Sequence, residues 1–152
     1  MQHFHQSSAR ASGTPTSKSP QTPAVDTKRV VQFGVLGTAN IARKNIRALK
    51  LSKLCRIAAV ASRSVEKAQA YADENQLGSD VAIYGTYMAL LEDTSIDAVY
   101  LPLPTTTHME WVQKAAAARK HIVLEKPVAL DHVEFLQMIR ACQANGVGYI
   151  LC

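Results

Sequence analysis

Gly37, Ala39 and Ala42 take the first, third and sixth places of a short segment, Gly37-Thr38-Ala39-Asn40-Ile41-Ala42, that joins an apolar run to a helical one. That spacing matches the turn that carries a dinucleotide pyrophosphate at the start of a helix. Gly37 permits the tight turn, and Ala42 is small enough for helix and strand to touch. Ala39 stands where glycine is usual, so its methyl must be accommodated beside the phosphates. The free amides at the helix start would receive the anion. A ligand-free tight turn is the competing reading of this segment alone.

A second set of residues follows the next apolar run. Ser62 lies 20 residues after Ala42, where NAD enzymes place an acid for the ribose hydroxyls. No acid stands at this position, and Arg63 and Ser64 come next. A carboxylate would repel a 2′-phosphate, whereas a guanidinium and hydroxyls would bind one. Ser62, Arg63 and Ser64 therefore predict NADP in preference to NAD. The plainer alternative is an exposed loop arginine with Ser64 as a helix cap.

The elements that must position these residues are legible as short apolar runs alternating with helical segments. Strands are predicted at Val30–Leu36, Ile57–Ser62, Val81–Tyr84, Ala98–Leu103, His121–Glu125 and Val147–Leu151. Helices are predicted at Asn40–Leu51, Val65–Asn75, Tyr87–Glu92, His108–Ala118 and His132–Asn145. The strands are continuously apolar, as parallel strands covered on both faces should be. Repeated strand–helix units imply an α/β fold: a Rossmann-type, doubly wound parallel sheet with right-handed crossovers. Ser64 is the expected cap of the second helix, and Gly146 the expected C-terminal stop of the last. Thr107 with Glu110, and Asp131 with Glu134, have the spacing of capping boxes.

Composition narrows the function classes. The chain has 152 residues, 47% hydrophobic and 19% charged, with a net charge of +5. Three of those charges fall in residues 1–29, so the remainder is too weakly basic to argue for nucleic acid. The cluster Arg43, Lys44, Arg47, Lys50, Lys53 and Arg56 reads mostly as a solvated helix face, with Arg43 and Lys44 able to add a positive field beside a phosphate. No run approaches the roughly 20 apolar residues of a membrane helix. Cys55, Cys142 and Cys152 are not spaced as metal ligands and suggest reduced thiols, a cytoplasmic setting and no metal. Residues 1–28 contain 12 Ser, Thr or Pro and are expected to form a disordered tail, with residues 29–152 as the folded domain. Organelle targeting by that tail is the weaker reading.

Four segments together carry a family resemblance: Gly37-Thr38-Ala39-Asn40-Ile41-Ala42, Ala61-Ser62-Arg63-Ser64, Leu101-Pro102-Leu103-Pro104-Thr105-Thr106-Thr107-His108 and Glu125-Lys126-Pro127. In order, each at a strand end, they resemble the glucose–fructose oxidoreductase / inositol dehydrogenase / MocA family over about residues 30–149. The similarity is greatest to its NADP-linked branch of dihydrodiol and D-xylose dehydrogenases. The resemblance implies hydride transfer between NADP and an alcohol of a sugar, cyclitol or diol. It implies that Leu103, Pro104, Thr105 and His108 line the cofactor, together with Glu125, Lys126 and Pro127. Lys126 is the catalytic candidate, pointing toward nicotinamide and the substrate hydroxyl. Glu125 would position a ribose or Lys126, and His108 could instead hold the loop. Without the resemblance, Lys126 would read as a solvated loop lysine. Tyr71, Tyr84, Tyr87 and Trp111 read as packing residues.

The resemblance also implies a C-terminal α+β domain carrying the remaining acid or base, the substrate pocket and the dimer interface. The expectation is a nucleotide-binding domain without that half, inactive alone. Two alternatives remain open: a non-catalytic NADP(H)-binding module or partner of a full-length subunit, and a methyltransferase-type Rossmann domain. Glu125-Lys126-Pro127 speaks against the latter.

Overall fold

The computed structural model describes residues 29–152; the tail expected at residues 1–28 lies outside the described residues. Six parallel strands form one sheet in the order β3-β2-β1-β4-β5-β6. They are β1 (Val31–Leu36), β2 (Cys55–Ala61), β3 (Ala82–Tyr84), β4 (Ala98–Leu101), β5 (His121–Leu124) and β6 (Tyr149–Leu151). Five helices connect them: α1 (Arg43–Leu51), α2 (Val65–Glu74), α3 (Tyr87–Glu92), α4 (His108–Ala117) and α5 (His132–Asn145).

The helices divide between the two faces. Ala42 and Ile46, at the start of α1 and within it, pack with Ala68 and Tyr71 of α2 on Val35, Ile57, Val60 and Tyr100. Leu90 and Leu91 of α3, Val112, Ala115 and Ala116 of α4, and Met138 and Cys142 of α5 cover the opposite face. β4 is buried at every residue, which accounts for its unbroken apolar sequence. Gly34 in β1 is also a packing requirement. A Cβ there would lie 2.5 Å from Leu90 Cδ2.

Strand and helix ends depart from expectation for local reasons. β4 stops at Leu101 and not Leu103, because Pro102 has no N–H to continue the ladder. β6 begins at Tyr149 and not Val147. Gly146 adopts the left-handed conformation, φ 66°, that closes α5. The Val147 amide then returns to the Cys142 carbonyl at 3.0 Å, leaving it unavailable to the sheet. The first helical segment opens as a 3₁₀ turn, Asn40–Ala42, before α1 proper. β2 starts two residues early and carries a register shift opposite Phe33 and Gly34.

Caps follow a mixed pattern. Ser64 accepts from the Lys67 amide and Asp131 from the Glu134 amide, as expected. Glu134 reaches back one residue further than a standard box, to the Leu130 amide at 3.0 Å. The box at Thr107 and Glu110 does not form. A 3₁₀ turn, Thr105–Thr107, precedes α4. The Thr107 hydroxyl donates to the Pro104 carbonyl at 2.8 Å, and Glu110 pairs with Lys114 at 2.5 Å. Among the described residues, no helix is long and apolar enough to cross a membrane.

Candidate dinucleotide site

In an open α/β sheet, a crevice forms at the carboxyl ends of the strands where the winding reverses. Here that point lies between β1 and β4. Four loops leave the sheet around it: Gly37 to Asn40, Ser62 to Ser64, Pro102 to Thr107, and Glu125 to Leu130.

The first loop leaves β1 through Gly37, whose φ is 115°. Its amide donates to the Ala61 carbonyl at 2.9 Å. A Cβ on Gly37 would come within 2.9 Å of Leu103 Cδ2. Ala39 has φ −73° and ψ 137°, ordinary values for an L-residue, so alanine is unstrained where glycine is usual. Neither Ala39 nor Ala42 caps the following turn with a side chain. The Asn40 and Ile41 amides thus have no acceptor among the described residues, as an anion site at a helix start requires, whereas the Ala42 amide closes the turn on the Ala39 carbonyl at 3.1 Å. Thr38 is half-buried, and Asn40 and Ile41 are exposed.

The second loop holds Ser62 buried, its amide on the Tyr84 carbonyl at 3.1 Å, and Arg63 exposed. Arg63 lines a cleft of about 410 Å³ with Tyr87, Met88, Leu103, Pro104 and Trp111. Tyr87 and Trp111 meet edge to face, centroids 4.9 Å apart. They pack as expected, but they also wall this cleft, which the sequence reading did not foresee. Burial pushes the Tyr87 phenol up, and the Arg63 guanidinium opposes it. Ser64 is committed locally: it caps α2 and donates to Glu66 Oε2 at 2.5 Å. That bond holds the Glu66 carboxyl below its ordinary value. An acid therefore does reach this strand end, from the first turn of α2, and it engages Ser64.

Arg43 is drawn away from the phosphate role considered for it. Its guanidinium pairs with Glu74 of α2 at 2.7 Å. Lys50 likewise bonds the Asn75 and Gln76 carbonyls. Lys44 is exposed.

The third and fourth loops are tied to each other. His108 is 1% exposed. Its Nε2 lies 2.8 Å from the Leu103 carbonyl and its Nδ1 3.0 Å from the Val128 carbonyl. Of the two roles open to it, the ring is placed for holding the loops. Thr105 adds a bond from its hydroxyl to the Pro127 carbonyl at 3.2 Å. Lys126 is exposed, its amide on the Cys152 carbonyl at 3.2 Å, and it precedes a cis Pro127. Glu125 is buried and turns inward: Asn45 Nδ2 donates to its Oε1 at 2.8 Å, and the Tyr100 hydroxyl donates to the same atom. Burial, together with the bond to Glu125, pushes the Tyr100 phenol far above its ordinary value, so it remains a donor. Asn45 and Tyr100 were not singled out by sequence. The one available signal was a lone hydroxyl within the apolar run of β4.

No group of three or more His, Cys, Asp or Glu able to hold a metal occurs among the described residues. The residues present do fit a dinucleotide. They supply a glycine turn that a Cβ would block, open amides at Asn40 and Ile41 and a mostly apolar cleft beside an exposed guanidinium.

Comparison with known proteins agrees with this geometry. Residues 31–151 match the family described as "Oxidoreductase family, NAD-binding Rossmann fold". The chain is 42% identical over 117 residues to D-xylose 1-dehydrogenase (NADP(+)) 2 of Haloferax volcanii, covering 77% of this chain and 35% of that protein. It is 35% identical over 118 residues to dTDP-3,4-didehydro-2,6-dideoxy-alpha-D-glucose 3-reductase of Actinomadura kijaniata, covering 77% of this chain and 34% of the relative. A crystal structure of a 3-ketoreductase from that organism, in complex with TDP-benzene and NADP, superposes with a TM-score of 0.75 at 31% identity, over 81% of this chain and 38% of the other. The chain thus spans about a third of the length of the curated relatives it matches.

Proposed function

The chain belongs to this oxidoreductase family, with the NAD-binding Rossmann fold, and on that premise we propose that residues 29–152 bind NADP(H) for hydride exchange with a sugar, cyclitol or diol alcohol. The observation that carries the cofactor choice is Arg63, exposed at the end of β2 and lining the cleft that Leu103 and Pro104 enter from β4. An adenine ring would lie in that cleft against Tyr87, Met88 and Trp111, and its 2′-phosphate would face Arg63. The pyrophosphate would rest on the amides that follow Ala39. Relatives support the reading: one is named as NADP-linked, and another was crystallised with NADP.

Bound there, NADP(H) supplies or accepts the hydride. Lys126 Nζ would donate a charge-assisted hydrogen bond to the reacting oxygen and stabilise negative charge on it. Glu125, engaged by Asn45 and Tyr100, would position Lys126. Leu103, Pro104, Thr105 and Pro127 would form the wall toward the nicotinamide, with His108 behind them.

One observation favours a second reading, a binding module without catalysis: Lys126 is exposed. Fluorescence titration of the purified 152-residue chain with NADPH tests both. The expected result is saturable binding, competed by 2′,5′-ADP and only weakly by 5′-AMP, with no turnover of sugars or diols. Failure to bind NADPH overturns the proposed function. Robust dehydrogenase activity from the chain alone would overturn the expectation that it does not turn over by itself.

A further inference from the structure

Next to Lys126 in sequence, the buried Glu125 joins a polar cluster with the buried Tyr100 and the half-buried Asn45. Asn45 of α1 donates from one Nδ2 to the Tyr100 hydroxyl at 2.9 Å and to Glu125 Oε1 at 2.8 Å. Tyr100 of β4 donates to that same oxygen. Only the amide nitrogen of Asn45 fits here, because both neighbours present lone pairs to it. Cys152 Sγ lies 3.7 Å from the amide.

A buried carboxylate is costly unless donors or a cation offset its lost hydration. Among the described residues, Glu125 makes no salt bridge, so these two neutral donors carry that task. The carboxylate is the side chain immediately before Lys126. Fixing it fixes the peptide from which Lys126 leaves the sheet. Asn45 sits on the first turn of α1, directly after the 3₁₀ turn Asn40–Ala42 proposed above to receive the pyrophosphate.

We propose that Asn45 is a positioning residue: by gripping Glu125 with Tyr100, it couples the phosphate-binding helix α1 to Lys126 and sets the lysine opposite the nicotinamide end of the cofactor. This inference rests on the NADP(H)-binding reading given above. Asn45 is half-buried on a helix, and alanine is a good helix former, so Asn45→Ala should fold.

The test is a double-mutant cycle read by binding. NADPH and 2′,5′-ADP are titrated into wild type, Asn45→Ala, Lys126→Ala and the double variant; 2′,5′-ADP lacks the nicotinamide end. Asn45→Ala is expected to weaken NADPH about tenfold, within the range of coupled neighbours, and to leave 2′,5′-ADP within twofold. In the Lys126→Ala background, Asn45→Ala should cost nothing further. Tyr100→Phe, which removes only the hydroxyl, should repeat the pattern. The inference is overturned if Asn45→Ala has no effect on NADPH, if its loss persists without Lys126, or if 2′,5′-ADP weakens equally. Failure of wild type to bind either ligand would instead overturn the reading on which it rests.

Discussion

Arg63→Ala is expected to weaken NADP binding by about ten- to a hundredfold and to leave NAD binding nearly unchanged. The estimate comes from one charge-assisted hydrogen bond, about 1.5–3 kcal/mol net, converted at 1.4 kcal/mol per factor of ten. The loop concentrates the effect on this residue. The Ser62 backbone is pinned by the Tyr84 carbonyl at 3.1 Å. The Ser64 hydroxyl is divided between the Lys67 amide and Glu66, so it is a poor additional donor to phosphate. Arg63 is exposed, and among the described residues it forms no salt bridge, so no acid competes for its guanidinium. Calorimetric titration of wild type and variant with both cofactors distinguishes the outcomes. Equal weakening of both cofactors would mean that Arg63 supports the loop without reading the 2′-phosphate.

Gly37→Val is expected to lose dinucleotide binding by at least tenfold and to destabilise the fold by about 2–6 kcal/mol, the sum of left-handed backbone strain and overpacking. The φ of 115° at Gly37 lies in a region that side chains rarely enter, and a Cβ would press on Leu103 Cδ2 at 2.9 Å. Leu103 sits on the loop after β4, so relief would displace the cleft wall as well as the turn. β-Branching worsens the fit. Chemical denaturation and NADPH titration measure the two losses separately. A variant with wild-type stability and affinity would show that the turn relaxes freely and that the phosphate loop needs no glycine there.

The sheet and its helices were readable because their causes are local. Continuous apolar runs marked the parallel strands, buried throughout in β4 but exposed at all three residues of the edge strand β6, and Ser64, Asp131 and Gly146 marked helix ends by chemistry confined to a few residues. Thr107 with Glu110 shows the limit of such reasoning. The spacing was right, but the 3₁₀ turn after Pro104 took the threonine hydroxyl and Lys114 took the carboxylate. Glu66 shows another limit. No acid follows β2 directly, yet the helix turn brings one back to Ser64. The places of the candidate residues were legible where loops follow strands: Gly37, Arg63 and Lys126 lie just after β1, β2 and β5, and their roles are the proposal above. The grip on Glu125 was not legible, because its partners Asn45 and Tyr100 lie 80 and 25 residues away. Spacing within one element cannot report a contact made only by the sheet. His108 is intermediate: its place at the start of α4 was readable, but its bond to Val128, 20 residues on, was not.

The most direct test of NADP(H) binding at the switch between β1 and β4 is backbone amide NMR of the isotope-labelled chain titrated with NADPH. Shifts should concentrate at Gly37–Ala42, Ser62–Ser64, Leu103–Thr107 and Glu125–Val128, and NAD should produce weaker changes at Arg63 at equal concentration. Shifts confined to the opposite end of the sheet, around Arg119–His121, or no saturable shifts at all, would contradict the assignment of this crevice as the cofactor site.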